Sequence, residues 1–231
     1  MCHLEQDLVV YDVAKLLDNL FRGDRRIGND KEFSKKVVLV DENEMTAVMM
    51  GFPTLKGLSR ETPSTYVSVL LNQNAALHYI DVAQEFGLAG DVCPMPEAEL
   101  GVSIDDDAPI LGACAVQCNT TCDGSLMSNG GIAKRLELED GIPIFQLAAP
   151  LRHREDDVQD YAAQEIRNCI AFIEEKTGEK WDWKYYFECA KRVNESTRHR
   201  MEWLDMNKTD YPQIFGSNLA LYTLSLIHIS E

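Results

Sequence analysis

Apolar residues recur along this chain at helical spacing in some stretches and in short continuous runs in others. Residues 4 to 22 predict an amphipathic helix. Val9, Val13, Leu16, Leu17 and Leu20 form its stripe, and Asp12, Lys15, Asp18 and Asn19 fall on other faces. Gly23 is its stop, and a charged loop follows to residue 36. Val37-Val38-Leu39-Val40 is a β-branched run suited to a strand buried on both faces. Asp41 and Glu42 lie at its C-terminal end, the edge where open α/β sheets place ligand-binding loops. A solvated loop is the plainer expectation for both. Residues 51 to 57, Gly-Phe-Pro-Thr-Leu-Lys-Gly, read as a loop. Pro63 and Ser64 open a short helix that carries Tyr66, Val67, Val69, Leu70 and Leu71. A further helix spans about 75 to 86 and stops at Gly87. His78 lies near its apolar face, and a satisfied structural role is the expectation there.

Cys93 precedes Pro94 and Pro96, which hold the backbone in a turn or loop, and residues 97 to 104 predict a short helix. Asp105, Asp106 and Asp107 lack the spacing of a calcium loop and read as a solvated turn. Residues 113 to 117 form a small apolar strand leading into Cys118 and Cys122. A helix beyond Asp123 carries Leu126, Met127, Ile132, Ala133, Leu136 and Leu138, with Gly130 and Gly131 weakening it. Residues 142 to 147 are the next strand, and a long helix runs from about 155 to 177 before Gly178. Cys169 belongs to that helix's apolar stripe and is read as packing. Residues 181 to 204 are helical, with Asp182 as N-cap and Cys189 in the core.

Strands alternating with helices predict an α/β fold, a parallel sheet with helices on both faces. The organisation expected is an N-terminal helical segment (1–36), a Rossmann-like α/β domain (37–178) and a C-terminal helical connector (179–222). Residues 223–231 look foreign to a domain terminus and resemble translated adapter sequence. Residues 211 to 217 read as the approach to a second α/β domain that the chain lacks, so a C-terminally truncated fragment is expected.

Bulk properties narrow the partners. The 231 residues carry a formal charge of −16, with 45% hydrophobic and 26% charged residues, an ordinary globular composition. So acidic a chain argues against nucleic acid and against anionic membrane surfaces as partners. No apolar run reaches a bilayer-spanning length and no signal peptide opens the chain, so a cytoplasmic location is expected. Seven cysteines, an odd number in a reducing compartment, do not suggest a disulfide framework.

Four of the seven, Cys93, Cys114, Cys118 and Cys122, fall between Gly90 and Met127. Buried thiols filling core space are the plain reading. The spacings Cys114-x-x-x-Cys118 and Cys118-x-x-x-Cys122 do not fit a dithiol redox motif. A radical-type cluster motif would need a third thiol where Ser125 stands. Cys93 lacks the close neighbour of a zinc ligand pair. A nucleophilic cysteine would need a histidine, of which only His78 and His153 are conceivable. Dinucleotide and phosphate-loop fingerprints are absent. Isolated thiolates on separate loops at strand ends remain as candidate holders of an iron–sulfur cluster, with further ligands from elsewhere.

The runs Gly90-Asp-Val-Cys-Pro-Met-Pro-Glu-Ala-Glu-Leu-Gly101 and Cys118-Asn-Thr-Thr-Cys-Asp-Gly-Ser-Leu-Met127, with Thr177-Gly-Glu-Lys-Trp-Asp-Trp183, resemble the 2-hydroxyacyl-CoA dehydratase and benzoyl-CoA reductase family. The similarity is closest to the catalytic component that includes 2-hydroxyglutaryl-CoA dehydratase subunits, and it covers most of residues 1–222. It implies Rossmann-like domains meeting at a [4Fe–4S] cluster held by three cysteines, with an open iron site facing an acyl-CoA thioester. By motif, Cys93 and Cys122 match two metal ligands, and the third is expected in the missing C-terminal part. Cys118 ranks behind them as a substitute ligand, and Asp123 and Ser125 are candidates to surround the sulfurs. The implied partners are an acyl-CoA substrate, a homologous second subunit forming a heterodimer, and an ATP-dependent iron–sulfur activator protein. The implied reaction is dehydration to an enoyl-CoA through a ketyl radical after one-electron activation. The alternatives are electron transfer to an acyl-CoA, as in benzoyl-CoA reductase, and a non-catalytic partner subunit.

Overall fold

The computed structural model describes residues 35–41, 43–60, 73–105, 112–118, 122–150, 154–155 and 157–211. The helices predicted over 4–22 and 64–71 lie outside them, as do Glu42 and His153. The chain divides into two compact units, residues 14–49 with 54–181, and residues 1–13, 50–53 and 182–231.

The larger unit is built on a four-stranded parallel sheet, so the predicted α/β architecture stands. Its strands are β1 (Val37–Val40), β2 (Lys56–Ser59), β3 (Cys114–Cys118) and β4 (Ile144–Leu147), in the order β2-β1-β3-β4. Val37 pairs with Lys56, Val38 with Cys114, and Ala115 with Ile144. Every residue of β1 and β3 is buried, as two covered faces require. β2 is a departure from the sequence reading, which left this stretch in a loop. Its sequence, Lys-Gly-Leu-Ser, has little strand propensity. Pairing imposes the conformation: the N–H of Lys56 donates to Lys36 O at 2.8 Å, and that of Arg60 to Val40 O at 2.9 Å.

One face of the sheet is covered by α1 (Gln73–Phe86), α2 (Pro94–Ile104) and α3 (Asp123–Lys134). Val37, Leu39 and Ala115 meet Ala83, Leu88, Leu100, Ile132, Leu136 and Ile142 there in one apolar core. Fully burying a side chain the size of Val or Leu contributes about 1.5–3 kcal/mol, so this layer supplies most of the cohesion of that face. The other face carries α4 (Val158–Thr177), whose Phe172 ring lies 5.6 Å from that of Phe145 on β4. Glycine fixes how closely the helices approach. A Cβ on Gly101 of α2 would strike the carbonyl oxygen of Tyr79 on α1 and come within 2.7 Å of the Tyr79 Cα. A Cβ on Gly131 would lie 2.8 Å from Leu100 Cδ1. Gly131 thus lets α3 lie against α2, and the helix runs through both of its glycines instead of breaking. A π-helical turn, Arg135–Glu139, follows directly.

α2 starts at Pro94, three residues before the predicted start. Prolines at its first and third positions lack N–H groups that would have no intrahelical partner in any case. In the smaller unit, α5 (Trp183–Asp205) opens as expected on Asp182. Its Oδ1 accepts the N–H of Lys184 at 2.8 Å and that of Tyr185 at 3.2 Å. Among the described residues, no helix is long and apolar enough to cross a membrane.

The glycine contact gives a stability prediction. Gly101→Ala drives a methyl group into the backbone of α1, where no rotamer change relieves the clash. The variant should lose at least 1–3 kcal/mol, about the usual cost of overpacking a core, as a lower denaturation midpoint in urea. Unchanged stability would mean that α1 and α2 do not pack this closely.

Candidate functional site

The C-terminal edge of the sheet gathers an unusual amount of buried polarity. Asp41, immediately after β1, is 1% exposed, which corrects the expectation of a solvated loop at that position. Its Oδ2 accepts the Cys118 N–H at 3.0 Å and an N–H of the Asn129 amide at 2.9 Å. Its Oδ1 takes Arg60 Nη2 at 3.3 Å. Asn129 Nδ2 also donates to the Cys118 carbonyl at 3.0 Å. Gln117, fully buried on β3, donates to Asn129 O and to Gln146 Oε1 and accepts from Arg60. Arg60 Nε lies 3.5 Å from Glu99 of α2. The end of β3 is thus held on both its N–H and its C=O by side chains from β1 and α3. A buried polar group costs free energy unless it is paired, so this network specifies one arrangement of the strand ends.

Two cysteines stand at helix starts beside this network. Cys122 is the N-cap of α3, and its Sγ takes the place usually filled by a serine or aspartate oxygen. The Ser125 N–H donates to that sulfur at 3.3 Å, and Ser125 Oγ is 3.5 Å from it. Asp123 is the first residue of α3 and is exposed, so Cys122 and not Asp123 caps the helix. Cys93 is the N-cap of α2. Its side chain makes no capping bond, and it is exposed. The two loops meet at Gly124. A Cβ there would lie 3.3 Å from Pro96 Cγ, 3.4 Å from the backbone N of Cys93 and 3.5 Å from Cys122 Sγ. The absent side chain lets the start of α3 pack closely against the start of α2. The backbone of Cys93 and the sulfur of Cys122 thus flank Gly124, and thiols on two adjoining helix starts, one of them accepting an N–H, are donor types that suit a soft metal. Among the described residues, no three His, Cys, Asp or Glu side chains gather into a metal-holding group.

A profile of the family described as 2-hydroxyglutaryl-CoA dehydratase, D-component, matches residues 45–229. The chain belongs to that family. Among curated proteins it is 25% identical over 158 residues to the (R)-phenyllactyl-CoA dehydratase alpha subunit of Clostridium sporogenes, covering 65% of this chain and 37% of that protein. It is 21% identical over 197 residues to the lactoyl-CoA dehydratase subunit alpha of Anaerotignum propionicum, covering 76% of this chain and 46% of that protein. The chain therefore spans less than half the length of these dehydratase subunits.

Within this dehydratase-family chain, the helix starts that carry Cys93 and Cys122 meet at Gly124, and Ser125 lies against the Cys122 sulfur. Cys118 faces elsewhere in its chemistry. Its backbone is clamped by Asp41 and Asn129, while its thiol and that of Cys114 both raise the pKa of Cys169 on α4. Asp41, Arg60, Gln117 and Asn129 were not singled out as site residues. Asp41 had a positional signal at the strand end, and Asn129 sat on a helix read by its apolar residues. α3 in fact turns Gly124, Ser125, Ser128, Asn129 and Ile132 inward and leaves Leu126 and Met127 exposed. His78 is exposed and pairs with Asp105 Oδ2 at 2.6 Å.

The buried thiols yield a pH prediction. Burial pushes Cys114 and Cys169 from the ordinary value of 9.0 up to about 12, the neighbouring thiols adding to the shift at Cys169. Each stays protonated in the folded chain while its unfolded counterpart ionises. Their contribution to stability is complete below pH 9 and is lost as pH rises towards 12. Urea denaturation across that range should show falling stability, with a shallower decline in Cys169→Ala. In native protein, alkylation should reach Cys93 well before Cys114 or Cys169. Equal labelling of all three would contradict the burial.

Proposed function

We propose that this chain is part of a cytoplasmic 2-hydroxyacyl-CoA dehydratase, in which Cys93 and Cys122 are two ligands of a [4Fe–4S] cluster. The meeting at Gly124 of the two helix starts that carry these cysteines supports the reading, as does the dehydratase family of the chain. The third ligand is assigned to sequence outside the described residues. Bound there, the cluster supplies one-electron chemistry to the thioester carbonyl of the substrate. The overall reaction removes the C2 hydroxyl and a C3 proton as water and leaves an enoyl-CoA, with no net change in electrons.

The chain's own residues have definable tasks in this scheme. Cys93, exposed and free of capping duty, offers its thiolate to the metal group without loss to the helix. Cys122 keeps its cap when it takes a ligand role, because the Ser125 N–H can remain directed at its sulfur. Hydrogen bonds to ligating sulfur stabilise the electron-rich state of such a group. Gly124 keeps the space beside the Cys122 sulfur free of a side chain. The acyl-CoA substrate, a homologous second subunit forming a heterodimer and an ATP-hydrolysing iron–sulfur activator are the partners this function requires. The curated relatives are themselves named as alpha subunits of such dehydratases.

Anaerobic reconstitution of the intact protein with iron and sulfide tests the assignment. A [4Fe–4S] absorbance and EPR signal should form in the wild type, disappear in Cys93→Ala and in Cys122→Ala, and persist in Cys169→Ala. Loss in the Cys169 variant with retention in the other two would defeat the ligand assignment. Gly124→Leu should reduce cluster loading by forcing a side chain against Pro96, the Cys93 backbone and the Cys122 sulfur. Turnover of a 2-hydroxyacyl-CoA should depend on the activator and ATP; dehydration without them would mean different chemistry.

A further inference from the structure

We infer that Asp41 and Asn129 are positioning residues for the Cys122 thiol. The inference rests on the reading of Cys122 as a ligand and adds the residues that set where it stands. Cys122 is joined to the sheet by the short link from Cys118. Both ends of that link are fixed from inside. At the β3 end, Asp41 Oδ2 accepts the Cys118 N–H and Asn129 Nδ2 donates to the Cys118 carbonyl, at 3.0 Å each. At the helix end, Asn129 is itself a residue of α3, so its side chain ties the second turn of that helix to the strand whose loop feeds it. Asp41 Oδ2 takes the same amide at 2.9 Å. One carboxylate and one carboxamide thereby lock strand β1, the end of β3 and helix α3 into a single register.

The cap of α3 inherits that register. Ser125 is one turn before Asn129 on the helix, and its N–H is the one aimed at Cys122 Sγ. A shift of α3 along or around its axis would move this N–H off the sulfur and disturb the close packing at Gly124. Both clamp residues are buried, Asn129 at 0% and Asp41 at 1% exposure, so neither can bind ligand or substrate directly. Arg60 and Gln117 support the carboxylate and the amide from behind, through Asp41 Oδ1 and the Asn129 carbonyl. The position thus acts through Cys122 and not on the substrate.

The test uses iron-free intact protein, so it stands apart from whether a cluster binds. Alkylation rates of Cys93 and Cys122 are measured together by peptide mapping in wild type, Asn129→Ala and Asp41→Asn. Freeing the thiol from its cap should raise the Cys122 rate about tenfold in Asn129→Ala, the factor expected for loss of one ordinary hydrogen bond. Asp41→Asn keeps an acceptor for the Cys118 N–H and should give a smaller rise. The Cys93 rate should stay within about twofold in both, since no clamp bond reaches it. Unchanged Cys122 rates, or equal rises at both thiols, overturn the inference, the second outcome marking a general loosening. Hydrogen exchange on the wild type gives a reading that no folding defect can obscure. The Cys118 and Ser125 amides should be protected like the interior of β3, and exchange of either at the rate of an exposed loop overturns the inference. A normal cluster signal in variants with altered Cys122 alkylation would leave the ligand assignment intact, whereas a missing signal in a wild type with protected amides would count against the function alone.

Discussion

The carboxylate of Asp41 is the constraint on which the rest of the α/β unit depends. It lies at the end of β1, is almost wholly buried, and holds Cys118, Asn129 and Arg60 at once. An ionised group in such a place is tolerated only with partners on every side, and removing one partner from a buried pair typically costs about 3–5 kcal/mol. Arg60 supplies the opposite charge and is in turn faced by Glu99 on α2. The charges therefore link the edge strand β2, the central strand β1 and helix α2 above the sheet. Hydrophobic burial makes this unit compact, but the polar network decides which strand end meets which helix start.

That division explains what could be read in advance. β1, β3 and β4 announced themselves by short β-branched or apolar runs, and α4 and α5 by long stripes with a glycine stop or an aspartate cap. β2 did not, because a strand of Lys-Gly-Leu-Ser exists by virtue of its neighbour and carries no pattern of its own. α3 was legible as a helix and misleading as a surface. Its leucine and methionine suggested the buried side, whereas the structure buries its small and polar residues. The inward face has to reach a sulfur and two backbone groups, and apolar residues would leave those groups unpaired. Cys93 and Cys122 were visible as motifs; that their helix starts meet at Gly124 was not, because the 28 positions between them include a helix and a strand. Asp41 was hidden by its type, since a carboxylate at a strand end is usually in water.

Four of the six cysteines among the described residues fall into two populations with different physics. Cys114 and Cys169 are buried between β3 and α4 and resist ionisation, which makes them small apolar fillers. Cys93 and Cys122 are at helix starts, where aligned peptide dipoles favour negative charge on whatever occupies the site. The same residue type thus serves as packing on one face of the sheet and stands at helix starts at its edge.

The bonds that hold Cys118 and Asn129 to Asp41 join residues 77 and 88 positions apart in the chain. Contacts of such long reach demand loop closure before they return any stability, so they form after local helices and after the first strand pairing. A growing or refolding chain would carry Cys93 and Cys122 as two unrelated thiols. Only when the third strand has docked do the helix starts that carry them meet at Gly124. The order of events built into this topology is therefore assembly of the sheet first and juxtaposition of the two cysteine-bearing helix starts second.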